Sequence, residues 1–114
     1  MNWIIIKSKD RQICKTSINI EEEDSMGVID GQFIPLDGYE VIRQLIKEYS
    51  NLIVELSIEE TQKNSNLLKL RKEIKDLCLS AYNEKNEKLD FSHIELRDFS
   101  DELGSEGFSL LLYR

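Results

Sequence analysis

Between Tyr39 and Leu56 the apolar residues fall at Tyr39, Ile42, Ile46, Tyr49, Ile53 and Leu56, spaced alternately three and four apart. That rhythm follows one side of an α-helix and no side of a strand, so the middle of the chain is predicted to be helical with one buried stripe. Ahead of it the rhythm is two. From Arg11 to Ile20, Cys14, Thr16, Ile18 and Ile20 alternate with Ile13, Lys15, Ser17 and Asn19, the pattern of a strand with one face inward. The short apolar run Trp3 to Lys7 precedes it, and Ser8-Lys9-Asp10 between them has turn composition, which predicts an opening hairpin.

The remaining elements follow from local chemistry. Glu21-Glu22-Glu23-Asp24-Ser25 would repel itself inside any regular element and reads as an exposed loop. Met26 to Pro35 reads as a bent strand, with Gly27 and Gly31 where a bulge or close backbone approach needs them and Pro35 ending the ladder. Gly31 is expected to tolerate a side chain less well than Gly38, which lies at a helix start. Asp37 is the candidate N-cap of the central helix. Ser50-Asn51 can end that helix, and Ser57-Ile58-Glu59-Glu60 matches a capping box that would start another, so two helices are preferred to one. The second would run to about Asp76, burying Leu67, Leu70 and Ile74. It exposes Lys63, Lys69, Arg71, Lys72 and Lys75, whose charge is offset by Glu59, Glu60, Glu73 and Asp76 through salt-bridge pairs. Residues 77–82 alternate and fit a strand slightly better than more helix, with Asn83 to Lys88 as a polar turn. Phe91 to Phe99 and Gly107 to Arg114 close the chain as strands.

Three strands, two helices and three strands predict an α+β domain. Its expected form is a mainly antiparallel sheet of about five or six strands with both helices on one face. With 114 residues, 40% of them hydrophobic and 32% charged, the chain can bury one core, and a single domain over 1–114 is expected. No apolar run approaches a membrane span, and Met1 to Ser8 lacks the features of a signal peptide. Cys14 and Cys78 form no CxxC and have no neighbouring histidine, so both are expected to be reduced, packed thiols. These readings point to a soluble cytoplasmic protein.

The net charge of −7 argues against gripping nucleic acid or an anionic membrane. Its placement is more informative. Residues 21–40 carry seven acids and no base, residues 95–106 carry five acids and one base, and residues 41–94 are balanced. A catalytic reading finds little support. The only histidine, His93, falls on the polar side of its strand, no second histidine or thiolate cluster suggests zinc or iron, and no glycine-rich phosphate loop is present. The oxygen-rich stretches match no EF-hand loop. No catalytic residue, metal or cofactor is therefore expected.

Residues 24–39, from Asp24-Ser25-Met26-Gly27 through Asp30-Gly31-Gln32-Phe33 to Gly38-Tyr39, and residues 94–104, Ile94-Glu95-Leu96-Arg97-Asp98-Phe99-Ser100-Asp101-Glu102-Leu103-Gly104, carry a resemblance. They resemble the pattern of small bacterial immunity proteins of polymorphic and contact-dependent growth-inhibition toxin systems. The resemblance implies a cytoplasmic inhibitor that binds a cognate toxin domain, often a nuclease with a basic substrate cleft, and blocks it. An acidic surface suits such a partner because complementary charge speeds encounter. The partner-binding residues expected are Glu21, Glu22, Glu23, Asp24, Asp30, Asp98, Asp101 and Glu102. A structural or regulatory subunit that self-associates through an exposed C-terminal strand, Phe108 to Tyr113, is the second reading. A small enzyme built from distant carboxylates is the third.

Overall fold

The computed structural model describes residues 3–17, 27–57, 60 and 64–114. Among the described residues eight strands and three α-helices form an antiparallel α+β fold, but the strands divide between two sheets where one was expected. The first sheet begins with the hairpin β1 (Ile4–Ser8) and β2 (Arg11–Thr16), turned at Lys9, whose backbone is left-handed with φ of 58°. Ile6 pairs with Cys14 and Lys7 with Gln12, so Ile13 is an extra residue in β2. This bulge shifts the alternation by one, and Ile13 and Cys14 both point into the core with no exposed surface. Period-two counting had placed Ile13 outside. Such counting assumes an unbroken ladder, which the bulge breaks.

The bent strand expected over residues 26–35 is where the chain changes sheets. As β3 (Val28–Gln32) it pairs with the C-terminal strand β8 (Phe108–Tyr113), and as β4 (Ile34–Pro35) it pairs with β2. Phe33, between the two, is 2% exposed. Its N–H donates to the Phe108 carbonyl at 3.1 Å, and its ring meets those of Tyr39 and Phe108 at 5.5 and 5.2 Å. Driving one large aromatic inward at that point satisfies both sheets at once. The sheet orders are β4-β2-β1-β5-β6 and β3-β8-β7, where β5 is Leu79–Tyr82, β6 Lys88–Leu89 and β7 His93–Asp98. Asn83 sets the β5–β6 turn by accepting from the N–H groups of Lys85 and Glu87.

Helix α1 (Tyr39–Glu55) buries Tyr39, Ile42, Ile46 and Tyr49, the first part of the expected stripe. It touches both β7 and β2, and so joins the sheets where two helices on one face had been expected; α2 (Ser65–Lys75) packs on α1. The result is a single core drawn from both sheets and α1, to which each fully buried aliphatic side chain contributes about 1.5–3 kcal/mol.

The start of α1 differs from expectation. Gly38, not Asp37, holds the N-cap position, with no side-chain cap, and a Cβ at Gly38 would fall on the Gln12 carbonyl oxygen. Gly38, expected to be the tolerant glycine, has no room for a side chain because its own N–H donates to that carbonyl at 3.1 Å. After α1, the Glu60 N–H donates to Ser57 Oγ at 3.2 Å, as a capping box requires. The helix that buries Leu67 nevertheless starts at Ser65, capped by Asn64, which accepts from the Leu67 N–H at 2.9 Å. Among the described residues, no helix is long and apolar enough to cross a membrane.

Candidate functional site: an acidic corner and a basic cleft on one strand

Strand β7 alternates, with Ile94, Leu96 and Asp98 buried and His93, Glu95 and Arg97 on its other side. The inward series ends on a carboxylate. Asp98, expected among the partner-binding acids, is 2% exposed, so it supports the fold and offers no surface. Its carboxylate accepts from the Tyr39 hydroxyl at 2.6 Å and from the Ser100 N–H at 2.9 Å. Its own N–H donates to Ser50 Oγ at 2.8 Å, and that hydroxyl donates to the Ile46 carbonyl of α1 at 2.7 Å. Burial alone would raise the Asp98 pKa; hydrogen bonds from Ser100 and Tyr39 and the charge of Lys47 hold it below the ordinary value of 3.8. The same contact works the other way on Tyr39, whose hydroxyl is pushed well above its usual range by burial and by Asp98.

Beyond Asp98 the chain makes a tight excursion, α3 (Ser100–Leu103) followed by a 3-10 turn, Gly104–Gly107. Every residue from Asp101 to Glu106 is exposed. The excursion is closed at its base, where the Phe99 N–H donates to the Gly107 carbonyl at 2.9 Å. A Cβ at Gly107 would fall on the Phe99 carbonyl group and 2.6 Å from the Ser100 nitrogen, so only glycine lets the two limbs approach this closely. The corner is tied on both flanks: Lys47 of α1 meets Asp101 at 2.9 Å, and Gln32 of β3 donates to the Glu106 carbonyl at 3.2 Å. Asp101, Glu102 and Glu106 thus share this exposed segment with Leu103, which is 59% exposed.

Asp30 is exposed on β3, one residue pair along the same strand face from Gln32, about 7 Å away. There it lines a shallow concavity with Gln32, Arg97 and Ser109, whereas Asp101 faces α1. Of the other predicted acids, Glu21, Glu22, Glu23 and Asp24 lie outside the described residues. Glu106 and Leu103 were missed. Glu106 belongs to the acidic stretch, but an isolated exposed leucine carries no sequence signal.

The opposite end of β7 borders a cleft of about 550 Å³ that runs between α2 and the first half of the strand. Ile74, Leu79, Phe91 and Ile94 give it apolar walls, Arg71 and Lys75 bring cations to it, and His93 lines it as well. Glu95, which also lines it, is already neutralised. Arg97 meets its carboxylate at 2.6 and 2.8 Å, and the Tyr49 hydroxyl donates to it at 2.8 Å. Burial and this carboxylate raise the Tyr49 pKa, and neighbouring Arg71 partly offsets the rise. His93 is exposed, as expected, with its ring 5.4 Å from that of Tyr113. Two expectations fail here. Cys78, expected to be packed, is exposed and lines the cleft, with the left-handed φ of 54° that ends α2; Cys14 is buried. The salt bridges expected along α2 are also absent among the described residues, where neither Arg71 nor Lys75 makes an ion pair. Lysine and arginine pointing toward a cleft do not meet acids on the helix's solvent side.

Among the described residues no group of three or more His, Cys, Asp or Glu side chains is placed to hold a metal ion. Comparison with known proteins finds no family model, no characterised protein and no solved structure that matches this chain.

Proposed function

We propose that the protein is a cytoplasmic protein-binding inhibitor of the immunity type, and that residues 101–106 are the surface it offers to a cationic toxin domain. The observation that carries this reading is the corner itself: six consecutive exposed residues between the buried Asp98 and the buried Gly107, closed at the base and tied to two other elements. An exposed segment held this firmly loses little conformational entropy on binding. An exposed leucine in one short segment with three acids also suits a binding surface with an apolar anchor and a charged rim. Asp101, Glu102 and Glu106 would steer a basic partner and fix its register, with Asp30 adding negative charge on β3.

The second reading, self-association through the last strand, loses its basis. Strand β8 is hydrogen-bonded to β3 on one side and to β7 on the other, so it has no free edge.

The test is the association rate with a candidate toxin domain taken from a neighbouring gene, measured across a salt series for the parent and for the triple variant Asp101→Lys, Glu102→Lys, Glu106→Lys. The variant is expected to associate roughly tenfold or more slowly at low salt and to converge on the parent at high salt. Leu103→Ala is expected to speed dissociation. Rates indifferent to salt and to all four substitutions would refute the proposal.

A further inference from the structure

We propose that the cleft between α2 and β7 binds a small monoanionic amphiphile, with a carboxylate head between Arg71 and Lys75 and an apolar body against Ile74 and Phe91. At about 550 Å³ the cleft falls within the usual range for small-molecule sites, roughly 300–1,000 Å³. Arg71 and Lys75 are four residues apart on α2, so they stand on the same helix face about 6 Å apart, close enough to share one anionic head. Neither makes an ion pair among the described residues, and the one carboxylate lining the cleft, Glu95, is taken by Arg97 and Tyr49. The cleft's unspent charge is therefore positive on a chain whose net charge is −7. Solvation of the last turn does not account for this arrangement. Lys72 lies in that turn too, where it complements the negative end of the helix, yet it does not line the cleft. A purely anionic ligand would leave Ile74, Leu79, Phe91 and Ile94 wet, and a purely apolar one would bring two uncompensated cations against an apolar surface.

Cys78 supplies the readout. It lines the cleft and is exposed, whereas Cys14 is fully buried, with burial pushing its thiol far above the ordinary range. Alkylation by the neutral reagent iodoacetamide therefore reports on the cleft, and an unreacted Cys14 confirms that the fold is intact. Phenylbutyrate is the probe, with the uncharged phenylbutanol and inorganic phosphate as comparisons. Phenylbutyrate is expected to slow Cys78 alkylation, and the double variant Arg71→Gln, Lys75→Gln to raise the half-protecting concentration roughly tenfold or more. Lys72→Gln should leave that concentration within about twofold, because a screened charge outside the site acts weakly. Phenylbutanol and inorganic phosphate should each protect much less than phenylbutyrate. The proposal is overturned by absence of protection, by protection from phenylbutanol or phosphate equal to that from phenylbutyrate, or by a loss in Lys72→Gln matching the loss in the double variant.

Discussion

The two ends of β7 differ in a way that net charge conceals. At His93 the strand borders a concave surface lined by arginine, lysine and apolar side chains, and at Asp98 it gives way to a convex corner of aspartate, glutamate and one leucine. The difference lies in what the carboxylates touch. Glu95 and Asp98 are both taken by internal partners, whereas Glu102 and Glu106 stand in solvent and Asp101, though paired with Lys47, keeps most of its surface exposed. An acidic stretch in the sequence thus splits into structural acids and presented acids, and only burial separates them.

Breaking the base of the corner should have the largest effect. Gly107→Val forces a side chain into the Phe99 backbone, and Gly38→Val forces one onto the Gln12 carbonyl, where neither neighbour is a flexible side chain end. Each should cost about 3 kcal/mol or more in urea denaturation. An unchanged midpoint for Gly107→Val would mean that the corner is not closed where the structure closes it.

Asp98→Ala should follow, at about 2–4 kcal/mol, because it strands the buried Tyr39 hydroxyl and removes the acceptor of the Ser100 N–H. In that background Tyr39→Phe should cost much less than it does in the parent, since the hydroxyl no longer has its partner; additive losses would contradict the pairing.

The same carboxylate makes a smaller contribution to pH dependence. Its folded pKa lies below the ordinary 3.8, so the unfolded chain binds the proton more readily. The stabilisation is complete above the unfolded value and is lost as pH falls through about 4 toward the folded value. Asp98→Asn should therefore flatten the stability profile below about pH 4 relative to the parent while leaving its slope above pH 5 unchanged. An identical acid limb in both proteins would show that Asp98 titrates as a solvent-exposed acid.

The smallest stability effects belong to the presented groups. Charge-neutralising changes at Glu102, Arg71 or Lys75 should stay within about 0.5 kcal/mol, and Asp101→Asn within about 1 kcal/mol because its link to Lys47 is largely exposed. If the surfaces at the two ends of β7 exist for binding, their substitutions should move binding readouts while the melting temperature stays put.

Local chemistry determined the elements. The three-four spacing from Tyr39 named α1, the alternation at Ile94 and Leu96 named β7, and Asn83 with its polar neighbours named a turn, because each of these depends on residues a few positions apart. The acids at 101–106 were also legible as a charged surface segment, whereas Glu95 and Asp98 of the same stretch are engaged by internal partners. What depended on distant residues was not legible. The bulge that turns Ile13 inward, the exchange of sheets at Phe33 and the burial of Asp98 beneath Tyr39 all follow from partners far along the chain. The cleft follows the same rule, since α2 and β7 meet across 17 residues of intervening chain and neither records in its own sequence the space left between them. Periodicity reports which side of an element is apolar; which surface that side meets, and where two surfaces fail to close, is fixed only when the whole core packs.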